Sequence, residues 1–576
     1  MSHHHRPTLS TCLAALLALG PACGDAPSAP DGGATPDGAV APDGALPATG
    51  VDLVRDSRGV PHLYGASLAK AMYGLGYATA QDRLFQMHLR RMTMRGRLAE
   101  LFAVPASTPG AAAFNAKLID SDRAVRTLGY GVHADAIATT LAGDIPALLA
   151  AYADGVNAYL TSDAYVRPPV FVDLDLPAPE PWTAADSILA WDWVGYYFSS
   201  ARGDLQEELD AYRCVVLADC APQPPCDLPL DEAAAVVPVA TEWPPGSGMA
   251  VPAVAPPGTH AIRGEVEIKA SHGWVVHGSR TTTGKPVLVG EPQLALEAPS
   301  TWYEAHLAAD GVDVRGVGLA GAPGFIVFWN QHVAQTATAG GGDVADLVQL
   351  DVADDGLTHT VDGAPQPIAS RQETILVRGG TPVPLTIRTT QYGPIVDGIL
   401  DDVPAGTSFA ARLVEHAVTD SHSIVGGIDA MRATSLATYQ DAIAHWATPS
   451  INSLYAGVDA DAPAGDEGHI AYHSLLRIPD RVRQVVDGDD LTGRFPIDGT
   501  SSANVWTTLL GRQWAPHVVD PPAGYLLSGN HLPVGSWYDS VVYAGLAGTG
   551  DTYRSLRVRY RLAELLPPGA RGWILP

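Results

Sequence analysis

The chain has 576 residues, 46% of them hydrophobic, so it is long enough for one large body or two to three domains with sizeable cores. This composition excludes an intrinsically disordered protein. The formal net charge of -27 excludes nucleic acid and anionic membrane surfaces as the main partner, because their phosphates would be repelled.

The first 23 residues have the pattern of an export signal. Arg6 precedes an apolar run from Leu13 to Leu19, and small residues lead to Cys23. Gly20 to Cys23 form an imperfect lipobox, so lipidation at Cys23 and simple secretion both stay open. Residues 24–50 are almost entirely Ala, Pro, Gly and Asp, which is typical of an extended tether. We expect a periplasmic protein or an outer-membrane lipoprotein, or alternatively a secreted protein.

Residues 51–220 are predicted to be largely helical after one short strand at Val51–Asp56. Apolar residues recur at helical spacing between Leu68 and Phe102, which predicts one long helix. Arginines and a glutamine are interspersed, so we expect one face of this helix to pack and the other to face water. Further helical patterns fill 124–218. No later stretch reaches about 20 apolar residues, so no transmembrane helix is expected.

Three cysteines, Cys214, Cys220 and Cys226, lie at even spacing near the end of this region. An exported protein permits disulfides, and three cysteines leave one unpaired, so the sequence does not determine which two join. A zinc site is disfavoured, because no nearby histidine completes a set of four ligands. Residues 221–270, rich in Pro, Ala and Val over much of their length, are predicted to be a spacer.

From Ser271 onwards the sequence changes to short alternating strands separated by Gly and Pro, as at 286–290 and 324–329. Helical pattern returns at 435–446 and 553–566. The mixture predicts an α+β protein, in which strands and helices do not alternate strictly.

Two separate segments carry a resemblance to a known family. One is the run from Ser271 to Arg280, which contains Ser-x-x-Trp and is followed by Gly290 to Gln293; the other is the helical segment from Gly76 to Met87. The chain resembles the penicillin acylase family of N-terminal-nucleophile (Ntn) hydrolases, whose β-chain begins with Ser-x-x-Trp. A serine at a chain terminus combines a hydroxyl nucleophile with an α-amine that titrates near pH ~8 and can take its proton.

The resemblance implies an Ntn-hydrolase αββα sandwich, formed by an α-chain and a β-chain cut from one precursor. Residues 51–220 then correspond to the α-chain region and 271–576 to a β-chain region that is shorter at its C-terminal end than in relatives. The mature protein is expected to be an α/β heterodimer that acts on a small N-acyl substrate.

The resemblance also implies the catalytic roles. Ser271 is the expected nucleophile, and Gln293 is expected to brace the new N-terminus. The backbone N–H of Ala339 and the side-chain amide of Asn530 are the expected donors to the oxyanion, and Arg554 is expected to orient the α-amine. Taken without the resemblance, Gln293, Asn530 and Arg554 read as a strand-end, a turn and a solvated helix residue.

A structural calcium ion is implied as well. Asp343, the Ala345 carbonyl and Asp346 match its loop ligands in the family, and Glu208 is the expected ligand from the α-chain region. Carboxylate and carbonyl oxygens are the ligands that calcium prefers.

The resemblance also implies the acyl pocket, which Phe198, Leu294 and Val327 are expected to line. Phe198 matches an aromatic wall of the penicillin G acylase pocket, whereas Leu294, Val327 and Gly341 replace phenylalanines. This pattern predicts a roomier pocket that prefers aliphatic or bulky acyl groups to phenylacetyl.

The sequence therefore predicts an exported amide hydrolase that cleaves itself before Ser271 and then hydrolyses a penicillin-like or other N-acyl compound through an acyl-enzyme. One alternative is an acyl-homoserine lactone acylase, which Gln293 in place of histidine disfavours. Another is a catalytically silent, surface-tethered protein, motivated by Cys23 and by His272, which replaces the asparagine usual after the nucleophile.

Overall fold

The computed structural model describes residues 50–198, 201–217, 219, 236, 270–294, 297–419, 421–486, 488–535, 538 and 553–566. The predicted export signal, nearly all of the tether and nearly all of the spacer lie outside these residues.

The helices of the first half lie between the second strand and the spacer. They are α1 (Leu68–Met94), α2 (Leu98–Phe102), α3 (Ala111–Leu128), α4 (Tyr130–Thr140), α5 (Ile145–Thr161), α6 (Pro169–Asp173), α7 (Ala184–Phe198) and α8 (Ala201–Leu217). Those of the second half are α9 (Val414–Ala417), α10 (Ser423–Ala430), α11 (Leu436–Ile443) and α12 (Tyr553–Leu565). The helices predicted near 435–446 and 553–566 are confirmed.

The long helix predicted from Leu68 to Phe102 is interrupted. The side chain of Ser67 caps the start of α1, and non-helical dihedrals at Arg83 kink the helix. Gly96 then takes φ +61°, in the left-handed region that a right-handed helix does not use, so α2 begins anew at Leu98.

The prediction of a wet face on α1 is wrong in its second half. Arg90 is 5% and Arg91 3% exposed. Arg90 donates to the Ala320 carbonyl at 2.8 Å, and Arg91 forms an ion pair with Asp186 at 3.5 Å. Partners next to the large sheet and on α7 thus pair with these arginines inside the protein, whereas the helical pattern alone predicts that they face water.

Half of the strands in the described residues belong to two sheets that carry the site. The large sheet has the order β1 (Val51–Arg55), β2 (Pro61–Gly65), β5 (Trp302–Ala309), β6 (Val312–Leu319), β7 (Ala322–Trp329), β8 (Val333–Ala339), β16 (Ile451–Gly457), β17 (His469–Leu475) and β23 (His517–Val519). The small sheet has the order β24 (Tyr525–Ser528), β3 (Ala270–Val276) and β4 (Val287–Gln293), all antiparallel.

The remaining strands form short ribbons and small sheets around these two. They are β9 (Ala345–Gln349), β10 (Thr358–Val361), β11 (Ala364–Pro367), β12 (Ala369–Ile375), β13 (Val383–Thr390), β14 (Gly393–Pro394), β15 (Phe409–Leu413), β18 (Ile478–Pro479), β19 (Val485–Val486), β20 (Asp489–Asp490), β21 (Ile497–Asp498) and β22 (Leu509–Leu510).

Three apolar layers separate four layers of secondary structure. Leu562 and Leu566, at the end of α12, pack on Val276 and Leu527 of the small sheet. A second apolar cluster lies between the two sheets. The largest apolar cluster lies on the other side of the large sheet, where the helices pack against it. The order helix, sheet, sheet, helix confirms the predicted αββα sandwich.

The two sheets lie close together where β4 packs on β8. A Cβ atom placed on Gly290 would lie 1.9 Å from Oγ1 of Thr336. Only glycine permits this approach, which brings the end of β8 close to β3 and β4.

Within the described residues, no single helix is long and apolar enough to cross a membrane. The pair α4 and α5 meets the length and composition together, but the chain bends by 119° between them.

Candidate active site

Ser271 is the second residue of β3 and lies opposite Pro292 of β4. Side chains alternate along a strand, so Ser271 shares a face with Gly273 and Val275. That face is turned towards the large sheet, because Val275 packs in the cluster between the sheets. Ser271 is only 6% exposed, so its hydroxyl lies in the interior of the sandwich near the end of β8.

The backbone of Ser271 is held on both sides by residues that the sequence analysis selected. Its N–H donates to Oδ1 of Asn530 at 2.6 Å. Its carbonyl accepts from Nη1 of Arg554 at 2.5 Å, and Nη2 of the same arginine donates to Asn530 Oδ1 at 3.1 Å. One arginine therefore connects the predicted nucleophile to the predicted oxyanion donor.

Asn530 also reaches the end of β8. Its Nδ2 donates to the Ala339 carbonyl at 3.2 Å. Asn530 takes φ +67°, a left-handed conformation that asparagine adopts more readily than most residues. The turn before it, at Gly529, supplies a carbonyl to Arg554 at 3.3 Å. Ser271, Ala339, Asn530 and Arg554 thus belong to one hydrogen-bond network.

Arg554 projects from the first turn of α12 and is half-buried. Burial lowers the pKa of its guanidinium from the ordinary value, and the nearby carboxylate of Glu291 opposes this. An arginine remains charged under such a shift, so it places a fixed positive charge beside Ser271.

Gln293 is the last residue of β4 and pairs with Ala270. It therefore lies across the strands from the residue whose bond to Ser271 is the predicted cleavage point. Its role as a brace for a new N-terminus stays a prediction.

His272 occupies the opposite face of β3. Its Nε2 forms an ion-pair contact with Glu291 at 2.9 Å, and its ring stacks on Trp274 with 5.9 Å between centroids. The imidazole is thus on the outer face of the small sheet, whereas the Ser271 side chain is on the inner face. The replacement of asparagine by His272 does not crowd the nucleophile.

Two buried residues beside this network were not among the predicted site residues. Asn452 of β16 donates through Nδ2 to the Ala339 carbonyl at 3.2 Å, and it accepts from the Tyr472 hydroxyl at 2.6 Å. Neither residue lies in a motif, and an asparagine in a strand carries no local signal of function. Only the pairing of β16 with β8 and with β17 brings them to the site.

The predicted pocket residues are dispersed along the fold. Leu294 follows β4 and is half-buried, and Val327 of β7 is half-buried against the core on the helical side of the large sheet. Phe198 ends α7, but its side chain lies outside the described part of the structure. The proposed pocket therefore stays a prediction.

The four predicted calcium ligands do come together, but around an arginine. Arg481 is fully buried, and its Nε donates to both carboxylate oxygens of Asp346, at 2.9 and 3.0 Å. Its Nη2 lies 2.9 Å from Oδ2 of Asp343. Glu208 accepts from the backbone N–H of Leu347 at 3.0 Å, and burial raises the pKa of its carboxyl group.

This cluster does not fit a calcium ion as it is arranged. Asp343 Oδ1 accepts from the Ala345 N–H, and Asp346 Oδ2 also accepts from Trp506 Nε1, so N–H donors already surround these oxygens. Three of the four predicted ligands are carboxylates. Among their buried oxygens, Oε1 of Glu208 has neither a hydrogen bond nor an ion pair. In the part of the chain that the structure describes, no group of three His, Cys, Asp or Glu side chains is placed to hold a metal.

A disulfide is present at Cys214, near the end of α8. Its partner cysteine lies outside the described residues. The predicted preference for a disulfide over a zinc site is confirmed at this cysteine, and the pairing stays open.

Comparison with known proteins assigns the chain to a family. The sequence profile described as penicillin amidase matches residues 50–568. This chain belongs to the penicillin amidase family. Its curated relatives include the penicillin acylase 2 proenzyme of Pseudomonas sp. strain SE83, which is 30% identical over 84% of this chain and 59% of its own length.

Two further relatives differ in their named activity. The acyl-homoserine lactone acylase QuiP of Pseudomonas aeruginosa is 27% identical over 90% of this chain and 61% of its own length. The penicillin G acylase of Escherichia coli is 25% identical over 87% and 61%. The chain spans about three fifths of the length of these relatives.

Among solved structures, the thermostable penicillin G acylase of Alcaligenes faecalis in its orthorhombic form is similar. It shares 24% identity and a TM-score of 0.43, over 51% of this chain and 49% of that chain.

Proposed function

We propose that this chain is an acylase that cleaves its own backbone before Ser271 and then hydrolyses a linear amide. One observation carries the proposal: an asparagine and an arginine from remote segments of the chain both contact one buried serine. Asn530 accepts from the Ser271 N–H at 2.6 Å, and Arg554 donates to its carbonyl at 2.5 Å. Family membership supplies the expectation that such a serine becomes a chain terminus.

In the maturation step, Oγ of Ser271 attacks the carbonyl carbon of Ala270. The C–N bond between the two residues breaks, the nitrogen takes up the proton of the Ser271 hydroxyl and becomes the new α-amine, and an ester links Ala270 to the serine oxygen. Water then hydrolyses the ester and releases the two chains. Because Asn530 already binds this nitrogen in the uncut chain, the α-amine is formed in place.

In the hydrolytic step, the α-amine takes the proton of the Ser271 hydroxyl, and Oγ attacks the substrate carbonyl. The oxyanion accepts from the backbone N–H of Ala339 and from Nδ2 of Asn530. An amide nitrogen carries two N–H groups, so Asn530 can keep its bond to the Ala339 carbonyl while it donates to the substrate. The amine leaves with a proton, and water hydrolyses the acyl-enzyme.

Mass measurement of the purified protein tests the proposal first. We expect two chains, one of which begins at Ser271, together with hydrolysis of acyl p-nitroanilides. Ser271→Ala should abolish both cleavage and hydrolysis. Cleavage between Ala270 and Ser271 that survives in this variant would refute self-processing, and an uncut, inactive wild type would favour the silent, tethered alternative.

The substrate class is proposed from the pocket positions and from the relatives. Leu294 and Val327 favour aliphatic or bulky acyl groups over phenylacetyl. Acyl-homoserine lactones are the second candidate, because relatives at up to 27% identity are named for that activity. A panel of acyl p-nitroanilides of graded length, with phenylacetyl p-nitroanilide and acyl-homoserine lactones, separates these options. Equal or better turnover of the phenylacetyl compound contradicts the aliphatic preference.

We also propose that the protein is exported and that Cys23 is lipidated. The support is the signal-like composition of residues 1–23 and the disulfide at Cys214, which is typical of oxidising compartments. Membrane fractionation of wild type and Cys23→Ser tests the anchor. Release of the variant, but not of the wild type, into the soluble fraction is expected, and identical fractionation contradicts it.

A further inference from the structure

A buried polar network lies behind the proposed oxyanion donors. Asn452 is 1% exposed, in the central strand β16 between β8 and β17. Burying a side-chain amide costs free energy unless its polar atoms are hydrogen-bonded. Here the carbonyl oxygen and the nitrogen of the amide both have partners, so the residue is built into the sheet with a defined orientation.

The side-chain nitrogen of Asn452 has three acceptors around it, all beside the site. Nδ2 lies 3.2 Å from the Ala339 carbonyl, 3.1 Å from Oγ1 of Thr338 and 3.3 Å from Oγ of Ser528. Thr338 and Ser528 also bind each other, with 2.7 Å between their hydroxyl oxygens. These contacts tie the end of β8, which carries Ala339, to the end of β24, which leads into Asn530.

The Ala339 carbonyl accepts from two amides at once. Asn452 and Asn530 each donate an N–H to it, both at 3.2 Å. A carbonyl oxygen has two lone pairs, so this acceptor is saturated. The shared carbonyl fixes the distance between the backbone of Ala339 and the side chain of Asn530, the two proposed donors to the oxyanion.

Tyr472 determines which way the Asn452 amide points. Its hydroxyl, fully buried on β17, donates to Oδ1 of Asn452 at 2.6 Å. A flipped amide would set its oxygen against the Ala339 carbonyl, which can only accept, and would end the bond that the hydroxyl donates to Oδ1. The tyrosine hydroxyl therefore keeps the Asn452 nitrogen on the side of the site.

We propose that Asn452, oriented by Tyr472, is a positioning residue for the oxyanion donors Ala339 and Asn530. This inference rests on the proposed function. Donors contribute most to catalysis when they are fixed before the reaction begins, so a loosened donor pair lowers the rate of the chemical step more than it weakens substrate binding.

The large sheet offers a matched control. Tyr439 is also fully buried, and its hydroxyl donates at 2.6 Å to a buried side-chain amide, that of Gln335 on β8. Nε2 of Gln335, however, donates to the Ile326 carbonyl on β7, away from the site. Tyr439→Phe and Tyr472→Phe thus remove equivalent hydroxyls with different connections.

The test compares mature wild type, Tyr472→Phe, Asn452→Asp and Tyr439→Phe on one acyl p-nitroanilide, with Tm measured for each. We expect Tyr472→Phe and Asn452→Asp to lower kcat about 10- to 100-fold, with KM within about threefold. Tyr439→Phe should lower Tm by a similar amount and keep kcat within about twofold. Ser528→Ala, which removes the third contact of Asn452, should lower kcat in the same way and serves if the first two variants do not fold.

Wild-type kcat in Tyr472→Phe and Asn452→Asp overturns the inference, and so does an equal loss of kcat in Tyr439→Phe, which would show a structural effect only. If every variant except Tyr439→Phe fails to fold, the network is structural and the inference is also overturned. Failure of the proposed function gives a different result, because the wild type itself then neither cleaves its own chain nor hydrolyses the acyl p-nitroanilide.

Discussion

Asn530 binds the backbone nitrogen of Ser271 through Oδ1 at 2.6 Å, although 259 positions separate the two residues in the chain. The contact joins the end of β24 to the start of β3. The bond that is predicted to break lies between Ala270 and Ser271, so the acceptor for the new amine is present before the amine exists.

Substitution of Asn530 should distinguish the role of its side-chain oxygen from that of its side-chain nitrogen. In Asn530→Asp the carboxylate can still accept from the Ser271 nitrogen but no longer donates to an oxyanion. We expect kcat to fall by about 10² to 10³, the usual cost of one lost oxyanion donor. Steady-state kinetics on acyl p-nitroanilides measure it. Asn530→Gly is the better deletion variant than alanine, because residue 530 has φ +67°. Wild-type kcat in both variants contradicts the assigned role.

Arg554 should matter for activity in a way that its helix neighbours do not. It contacts the Ser271 carbonyl and Asn530, whereas Arg557, one turn later on α12, is exposed. Arg554→Met should lower kcat at least about tenfold, because the Ser271 backbone and Asn530 lose a shared anchor. Arg557→Met should change kcat less than twofold in the same assay. Equal effects of the two substitutions would remove the argument for a specific role.

A buried carboxyl group on α7 should make stability depend on pH. Asp192 accepts from Nε2 of His422 at 2.6 Å, and the carboxyl group of Glu415 interacts electrostatically with it. Burial raises the pKa of Asp192 to about 8 from an ordinary 3.8, and burial lowers the pKa of His422 to about 4.

The direction of the change in stability with pH follows from the protonation of Asp192 in the folded state. Between about pH 4 and 8 the folded state keeps a proton on Asp192 that the unfolded state releases, so this contribution to stability is lost as the pH rises towards 8. Asp192→Asn should therefore raise Tm relative to wild type at pH 8.5 and flatten the fall of Tm above about pH 6.5, because below that pH the lowered pKa of His422 acts in the opposite direction. The exposed Asp154→Asn on α5 is the control. Parallel Tm profiles for wild type and Asp192→Asn would contradict the assignment.

Arg481 should make the acidic cluster insensitive to calcium removal. The guanidinium pairs with Asp343 and Asp346, so we expect EGTA to leave the Tm of the wild type unchanged. Arg481→Met leaves buried carboxylates without this partner and should lower the free energy of unfolding by about 3–5 kcal/mol. Arg432→Met, which breaks a more exposed pair with Asp144, should cost about 0–1 kcal/mol. A drop in the Tm of the wild type in EGTA, reversed by calcium, would support the calcium prediction instead.

The sequence by itself determined the α+β class and several elements, among them the start of α1 and the helices α11 and α12, because these depend on periodicity that can be read within a window of a few residues. Its short motifs, through their resemblance to the family, indicated the segments that contain Ser271, Ala339, Asn530 and Arg554.

Only the tertiary structure decided which atoms meet. The bond from Arg554 to Ser271 spans 283 positions, and the contacts of Asn452 with Ala339 and Ser528 span 113 and 76. The burial of Arg90 and the insertion of Arg481 among carboxylates are likewise invisible to local patterns. Their partners come from strands and helices that are remote in the chain, and packing of the four layers brings them within hydrogen-bond distance.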